Sequence, residues 1–371
     1  MSGNKKRAGK VPLKKKPFQW DGAPLSIISL LISIAISAVI LAICGYNPFE
    51  AYAAILVGAF GSLRGIAQAL TQATPLIFTG LAFTLAKKAN LINLGVEGQL
   101  YMGALGAALI GTVDLGLPMV IHLPLAILGG ILFGTIYGAI IGVLKVKFGS
   151  NEVVAGVMLN SIATFFVGYL LNGPLLAEGS SVAQTERVVE AARLPRIFQS
   201  YQLTIAVIIA VAACILVQWF ISRTTLGYEI RCVGLNPKAA ETAGISIGKV
   251  LILSMCISGA IAGLAGASHV LGVDRRLIDG FSPGFGFNGI AVSALAAESP
   301  VGVIFAGLVF GVLKAGAMEL NLSTGVPTEF VDVIQAMVVI FVSAPLLVKG
   351  ILHIKNNYYG GKKTAKAVKE A

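Results

Sequence analysis

Stretches of about 20 mostly apolar residues recur along this chain, and that is the length of helix needed to cross a hydrocarbon core of roughly 30 Å. Apolar runs bounded by polar breaks fall near residues 26–44, 66–86, 94–113, 120–144, 153–172, 203–222, 249–272, 284–297, 301–318 and 331–348. The expected fold class is therefore all-α, a polytopic membrane helix bundle of about ten transmembrane helices. The 284–297 run is short for an upright crossing and fits a half-helix, whereas 48–62 is apolar enough to lie along or dip into the interface; either could change the count by one. With 56% hydrophobic and 12% charged residues, a soluble domain would have too little polar surface.

A net charge of +11 raises the question of nucleic acid, but the basic residues sit in the termini and in short breaks between apolar runs rather than on one face. Placing both termini inside puts 21 of the 28 Lys and Arg on the inner side: the N-tail, Lys87 and Lys88, Lys145 and Lys147, the 223–249 segment and the stretch after 348. The outer side receives Arg64, Arg187, Arg193, Arg196, Arg275 and Arg276, and Lys314 falls within a run. That asymmetry predicts an N-in, C-in topology. It divides the chain into a basic cytoplasmic tail (1–24), a transmembrane domain (25–348) and a second basic tail (349–371). Trp20, Trp219 and Tyr201 fall at span ends, where amphipathic rings prefer the interface. The Lys5–Lys16 stretch before an apolar run resembles a secretory signal, but Ser26–Cys44 is too long and no Ala-x-Ala site follows, so a retained first helix is expected. Cys44, Cys214, Cys232 and Cys256 form no CxxC pair and read as small apolar residues.

Catalytic and metal chemistry find no foothold, and no cofactor is expected. The three histidines are too dispersed for a ligand cluster, with His269 alone near a span end. No GxxxxGK[ST] cradle occurs, and Gly360–Thr364 does not fit its spacing. Gly284-x-Gly286-x-x-Gly289 matches the dinucleotide fingerprint by letter, but no βαβ unit surrounds it; glycines there suit an unwound or closely packed segment. Gly130, Gly134, Gly138 and Gly142 recur every four residues and predict a helix face that a neighbour approaches closely, as do Gly259 with Gly263 and Gly307 with Gly311.

Polar side chains within or beside the spans are costly in hydrocarbon and should face protein, water or each other. Asn93, Glu97, Gln99, Asn151, Glu152, Asn160 and Asn288 are the candidates for a polar path, joined by Phe287. Glu97 and Glu152 could equally bond helix termini or Lys87, Lys88 and Lys147. Phe281, Phe285 and Phe287 could stack on a flat ring or anchor the interface. The 173–202 connection reads as a solvated external loop. In the internal 223–248 segment Asn236 can cap a helix that starts at Pro237 and ends at Gly244, lying parallel to the membrane.

Five separated stretches carry a family resemblance: Pro75–Ala82 (PLIFTGLA), Asn93–Gln99 (NLGVEGQ), Asn151–Val154 with Met158–Asn160, the Gly227–Gly244 segment, and Gly286–Val292 (GFNGIAV). On these the chain resembles the permease subunits of bacterial ATP-binding-cassette importers for nucleosides, in the wider group of ribose and branched-chain amino-acid permeases. The resemblance covers about 65–300 and excludes the N-tail and the 173–202 loop. It implies a non-enzymatic transport subunit of the bacterial cell membrane, with ATP bound by separate ATPase subunits. Its implied partners are a second permease that is a different chain, an ABC ATPase and an extracellular substrate-binding protein. Gly227, Glu229, Arg231, Pro237, Ala239, Ala240 and Gly244 would then form the ATPase-coupling surface. A ribose or other simple-sugar permease is the near alternative, and an ion-coupled secondary carrier or a non-transporting scaffold the distant ones.

Overall fold

A computed structural model describes residues 23–198 and 200–343, so both basic tails and Trp20 lie outside the described residues. Thirteen α-helices follow in order: α1 (Ala23–Ile43), α2 (Pro48–Phe60), α3 (Leu63–Lys88), α4 (Val96–Gly111), α5 (Met119–Phe148), α6 (Glu152–Leu171), α7 (Ala206–Arg223), α8 (Thr225–Leu235), α9 (Pro237–Thr242), α10 (Ile247–Ser268), α11 (Phe285–Leu295), α12 (Pro300–Thr324) and α13 (Phe330–Ser343). Two isolated β-bridges, Gln184 with Ile278 and Arg196 with Thr204, are the extended pairing recorded among the described residues.

Every apolar run of the sequence becomes helix, but the count of ten spans is not recovered. Among the described residues six helices are long and apolar enough to cross alone: α3, α5, α6, α7, α10 with its extension to Asp274, and α12. A bent pair, α1 with α2, supplies a seventh at most, broken by 120°. Helices α11 and α13 are shorter apolar elements, and α4 has only 16 residues. The reason is local. Irregular backbone separates α3 from α4 and α10 from α11 at the polar breaks between runs, and α4 and α11 fill their runs with helices of only 16 and 11 residues. The 48–62 run is α2, folded back from α1 and seated on α12, where Gly316 lies against Ile55 and Gly58 against Glu319.

Helices α3 and α4 form the centre of the bundle, and both are buried almost all round. Such helices must be apolar or small on every face. Around them α5 and α10 pack through the expected glycine stripe: a Cβ on Gly134 would stand 2.8 Å from the Cα of Gly263, and one on Gly138 3.1 Å from the Cα of Gly259. Backbones approach so closely because no side chain intervenes, and close approach is what holds helices together in lipid. Gly307 and Gly311 of α12 do the same against Ile77, Ala69 and Ala73 of α3. Cys214 is buried in this packing and all four cysteines are free thiols. Trp219 projects outward from α7.

Residues 173–202 form a loop exposed over about half its length but anchored to the bundle. Val188, Ala192 and Leu194 are buried. The segment is stitched to 271–279 by backbone bonds from Thr185 to Leu277 (2.9 Å), Val188 to Arg275 (2.8 Å), Leu194 to Leu271 (3.0 Å) and Asp279 to Ala183 (2.9 Å). A strand-like pairing of this kind leaves no periodicity in a charged, irregular sequence, which is why the segment looked unstructured.

Candidate functional site

Two unwound segments, 89–95 and 275–284, lie side by side through the helices they introduce. Asn90 takes a positive φ of 58° and lets the chain leave α3; Asn93 then turns it into α4. The Asn93 side chain is fully buried. Its Nδ2 donates to Gln99 Oε1 (2.9 Å) and Ser258 Oγ (2.8 Å), and its Oδ1 accepts from Gly95 N (3.1 Å). Ser258 in turn donates to Ala82 O of α3 (2.7 Å). Asn160 of α6 reaches the same bend, accepting from Gly98 N (2.7 Å) and donating to Leu94 O (2.7 Å). Four helices are thereby fixed around one irregular turn, whose backbone groups would otherwise be unsatisfied in an apolar setting.

Glu97 connects that bend to the second break. One carboxylate oxygen accepts the backbone N–H of Gly286 in the first turn of α11. An anion at a helix N-terminus is favoured both by the exposed N–H groups and by the helix dipole. Gly284 supplies the left-handed φ of 80° needed to start α11, and Ser282 Oγ accepts from Phe285 N (3.1 Å). On the other side Thr79 of α3 donates to Phe285 O (2.9 Å). Phe281 stacks at 4.8 Å from Tyr101 and 5.6 Å from His269, whose Nε2 lies 3.2 Å from Asp274. Phe281 and Phe285 are therefore packed within the bundle around the break, not placed as interface anchors.

The remaining path candidates divide. Asn151 caps α6 by accepting from Val153 N (2.9 Å), and Glu152 pairs with Lys145 (2.7 Å), closing the α5–α6 turn. Both are end-of-helix devices. Phe287, 47% exposed, and the half-buried Asn288 stand on the open side of α11. A cavity of about 800 Å³ opens beside α12, lined by Arg64, Gln68, Tyr201, Gln202, Lys314 and Glu319 among others. Within it Lys314 Nζ lies 3.9 Å from Asp332 of α13. Most of these cavity residues escaped the sequence reading because they come from three remote segments; Lys314, a charge inside a span, was the one visible signal.

The 223–248 segment folds as two short helices. Thr224 Oγ1 accepts from Gly227 N (3.0 Å) to start α8, and Asn236 Oδ1 accepts from Ala239 N (3.2 Å) to start α9, with Pro237 first and Gly244 beyond its end at φ 82°. Gly227 is buried against Phe220 and Ile221 of α7, and Gly234 lies on the Lys88 carbonyl at the end of α3. Ala240 faces inward into a cluster with Ala86, Ala89, Ile230 and Val250. Glu229 and Arg231 are half-buried, whereas Pro237, Ala239 and Gly244 are exposed. At the tip Leu235 is 88% exposed. Leu235 lies one heptad beyond the exposed Tyr228, on the face of α8 opposite the buried Gly227, Ile230 and Val233.

Residues 65–343 match the family described as branched-chain amino acid transport system, permease component. Among curated proteins the chain is 35% identical over 332 residues to a guanosine ABC transporter permease of Bacillus subtilis, covering 88% of this chain and 94% of that one. It is 33% identical to a nucleoside ABC transporter permease of Lactococcus lactis subsp. cremoris (88% and 92% covered) and 34% identical to a glucose ABC transporter permease of Haloferax volcanii (87% of each). The four stretches that meet at the two helix breaks, 75–82, 93–99, 158–160 and 286–292, all lie inside the matched region. The chain belongs to the branched-chain amino acid transport system permease family and is a multi-pass membrane transport component.

Proposed function

We propose that this chain forms one half of the translocation pore of an ATP-binding-cassette importer in a bacterial cytoplasmic membrane, passing nucleosides received from an extracellular binding protein. The observation that carries this reading is the joining of the two irregular segments, 89–95 and 275–284, through Glu97 and Gly286 inside the bundle. Unwound helices near a polar cavity expose backbone donors and acceptors that a neutral, hydrogen-bonding solute can use. Relatives that name guanosine and nucleosides supply the substrate class.

In this reading the chain is N-in and C-in, with the basic tails and the α8–α9 knob in the cytoplasm and the Arg64 cavity outside. ATP is bound by separate ATPase subunits, and no cofactor resides on this chain. A second permease chain, expected to differ from this one, completes the pore. Leu235, Pro237, Ala239 and Gly244 form the face offered to the ATPase, while Gly227 and Ala240 fix the knob to the bundle. Since Gly234 rests on the end of α3, movement of the knob is passed to the 89–95 turn and to α4. Bound ATP can shift the inward–outward equilibrium only by favouring one of the two states.

Radiolabelled nucleoside uptake in cells lacking the chain tests the proposal, with ribose and glucose uptake beside it and the restored gene as control. Loss of nucleoside uptake alone is expected. The sugar reading, favoured by the Haloferax relative, would replace it if a sugar uptake were lost instead. Uptake that survives deletion of the ATPase and collapses with a protonophore would replace both with a secondary carrier.

A further inference from the structure

Five of the six arginines that the charge pattern assigns to the outer side come together in the folded chain. Arg187, Arg193, Arg196, Arg275 and Arg276 line one cavity of about 230 Å³ with Val273 and Asp274. They arrive there from two segments knit by the backbone bonds between 185–194 and 271–277, so their convergence is built into the fold. Little in the protein neutralises them. Arg193 pairs with Glu190 at 3.3 Å and donates to Val188 O. Arg276 donates to the neutral Gln184 Oε1 (2.9 Å). Asp274, the carboxylate within the cavity, lies against His269 instead. The Nε atoms of Arg196 and Arg275 are buried without a hydrogen-bond partner. Arg275 also holds a left-handed φ of 56°, a conformation that a non-glycine residue rarely adopts. Burial first, and then the guanidiniums of Arg196 and Arg193, push the Arg275 pKa below its ordinary value, outweighing the opposing charge of Glu190.

Buried donors of one sign around a cavity call for an anion. A carboxylate offers two oxygens and one charge. A phosphate group offers three or more oxygens and up to two charges, in a shape that several guanidinium forks can share. We propose that this cavity is a phosphate-group binding site on the outer face, with Arg196 and Arg275 as the buried donors and Arg187 and Arg276 at its mouth. The inference does not depend on what the chain transports. Free phosphate and an anionic lipid headgroup present the same chemistry.

The test uses the purified full-length chain in phosphatidylcholine nanodiscs, titrated with inorganic phosphate against chloride of matched ionic strength, reading the thermal unfolding midpoint and the binding heat. A saturable rise in midpoint with phosphate is expected, because a ligand that binds only the folded state stabilises it. Arg275→Gln should weaken phosphate affinity by about tenfold or more, the effect of removing one charged donor. Arg187→Gln, at an exposed position, gives a second reading should Arg275→Gln fold poorly, and it should weaken binding too. Arg231→Gln, outside the cavity, should leave binding unchanged. Loss of the phosphate response in phosphatidylglycerol nanodiscs would identify the headgroup as the occupant, and an unchanged response the free anion. A response equal to that of chloride, or one retained in both cavity variants, would overturn the site.

Discussion

Asn93 and Glu97 differ by four positions and do different work. Asn93 is a closed hydrogen-bond hub, so Asn93→Leu should leave the buried Gln99 amide and Gly95 N unsatisfied, while Ser258 keeps its bond to Ala82 O, at a cost of about 2–4 kcal/mol. A lowered thermal midpoint in detergent, with less protein recovered, would show it. Glu97→Gln keeps an acceptor for Gly286 N but removes the negative charge at the first turn of α11. The expected outcome is a folded transporter whose nucleoside uptake falls by about tenfold, as for one weakened charged hydrogen bond. Normal uptake in that variant would remove Glu97 from the transport cycle and leave it a structural cap. In the sequence these residues stood out as polar groups in apolar surroundings. Which of them was a strut and which bordered the breaks depended on partners 60 to 190 positions away.

Elements are held by small residues where two backbones must approach. A side chain at Gly134 or Gly263 would strike the facing helix backbone, so Gly134→Leu should separate α5 from α10 and lower stability by about 2 kcal/mol or more. Gly149, open to solvent at φ 64°, serves as the contrast: Gly149→Ala should cost about 1 kcal/mol through backbone strain alone. Detergent-denaturation midpoints for the two variants would rank them. The glycine stripe was legible because its four-residue period repeats along a single helix. The breaks before α4 and α11 were legible too, since 87–93 and 273–283 fall between apolar runs, but the bond from Gly286 N to Glu97 that joins them was not.

Across the whole molecule the α8–α9 knob is the point where force would enter. Ala239→Trp changes an exposed position of a capped helix and leaves Ala240 and the inner cluster in place. Association with the ATPase should fall by about tenfold or more while the permease stays monodisperse, because a bulky group at a packed interface both clashes and prevents close seating. Retained association would place the contact elsewhere. Cysteines introduced at Ala239 and at Arg187 should be labelled from opposite sides of the membrane by an impermeant maleimide, and labelling from the same side would refute the N-in, C-in arrangement. The sequence alone determined the class of molecule, because burying long apolar runs in a bilayer depends on composition and length and not on partners. It determined the capped α9 and the glycine faces for the same reason, since each is written in neighbouring residues. Tertiary structure alone decided how many helices are long enough to cross, how the segments before α4 and α11 are joined, and that five separated arginines share one cavity. Those outcomes rest on hydrogen bonds and charges between residues far apart in the chain, which no local pattern records.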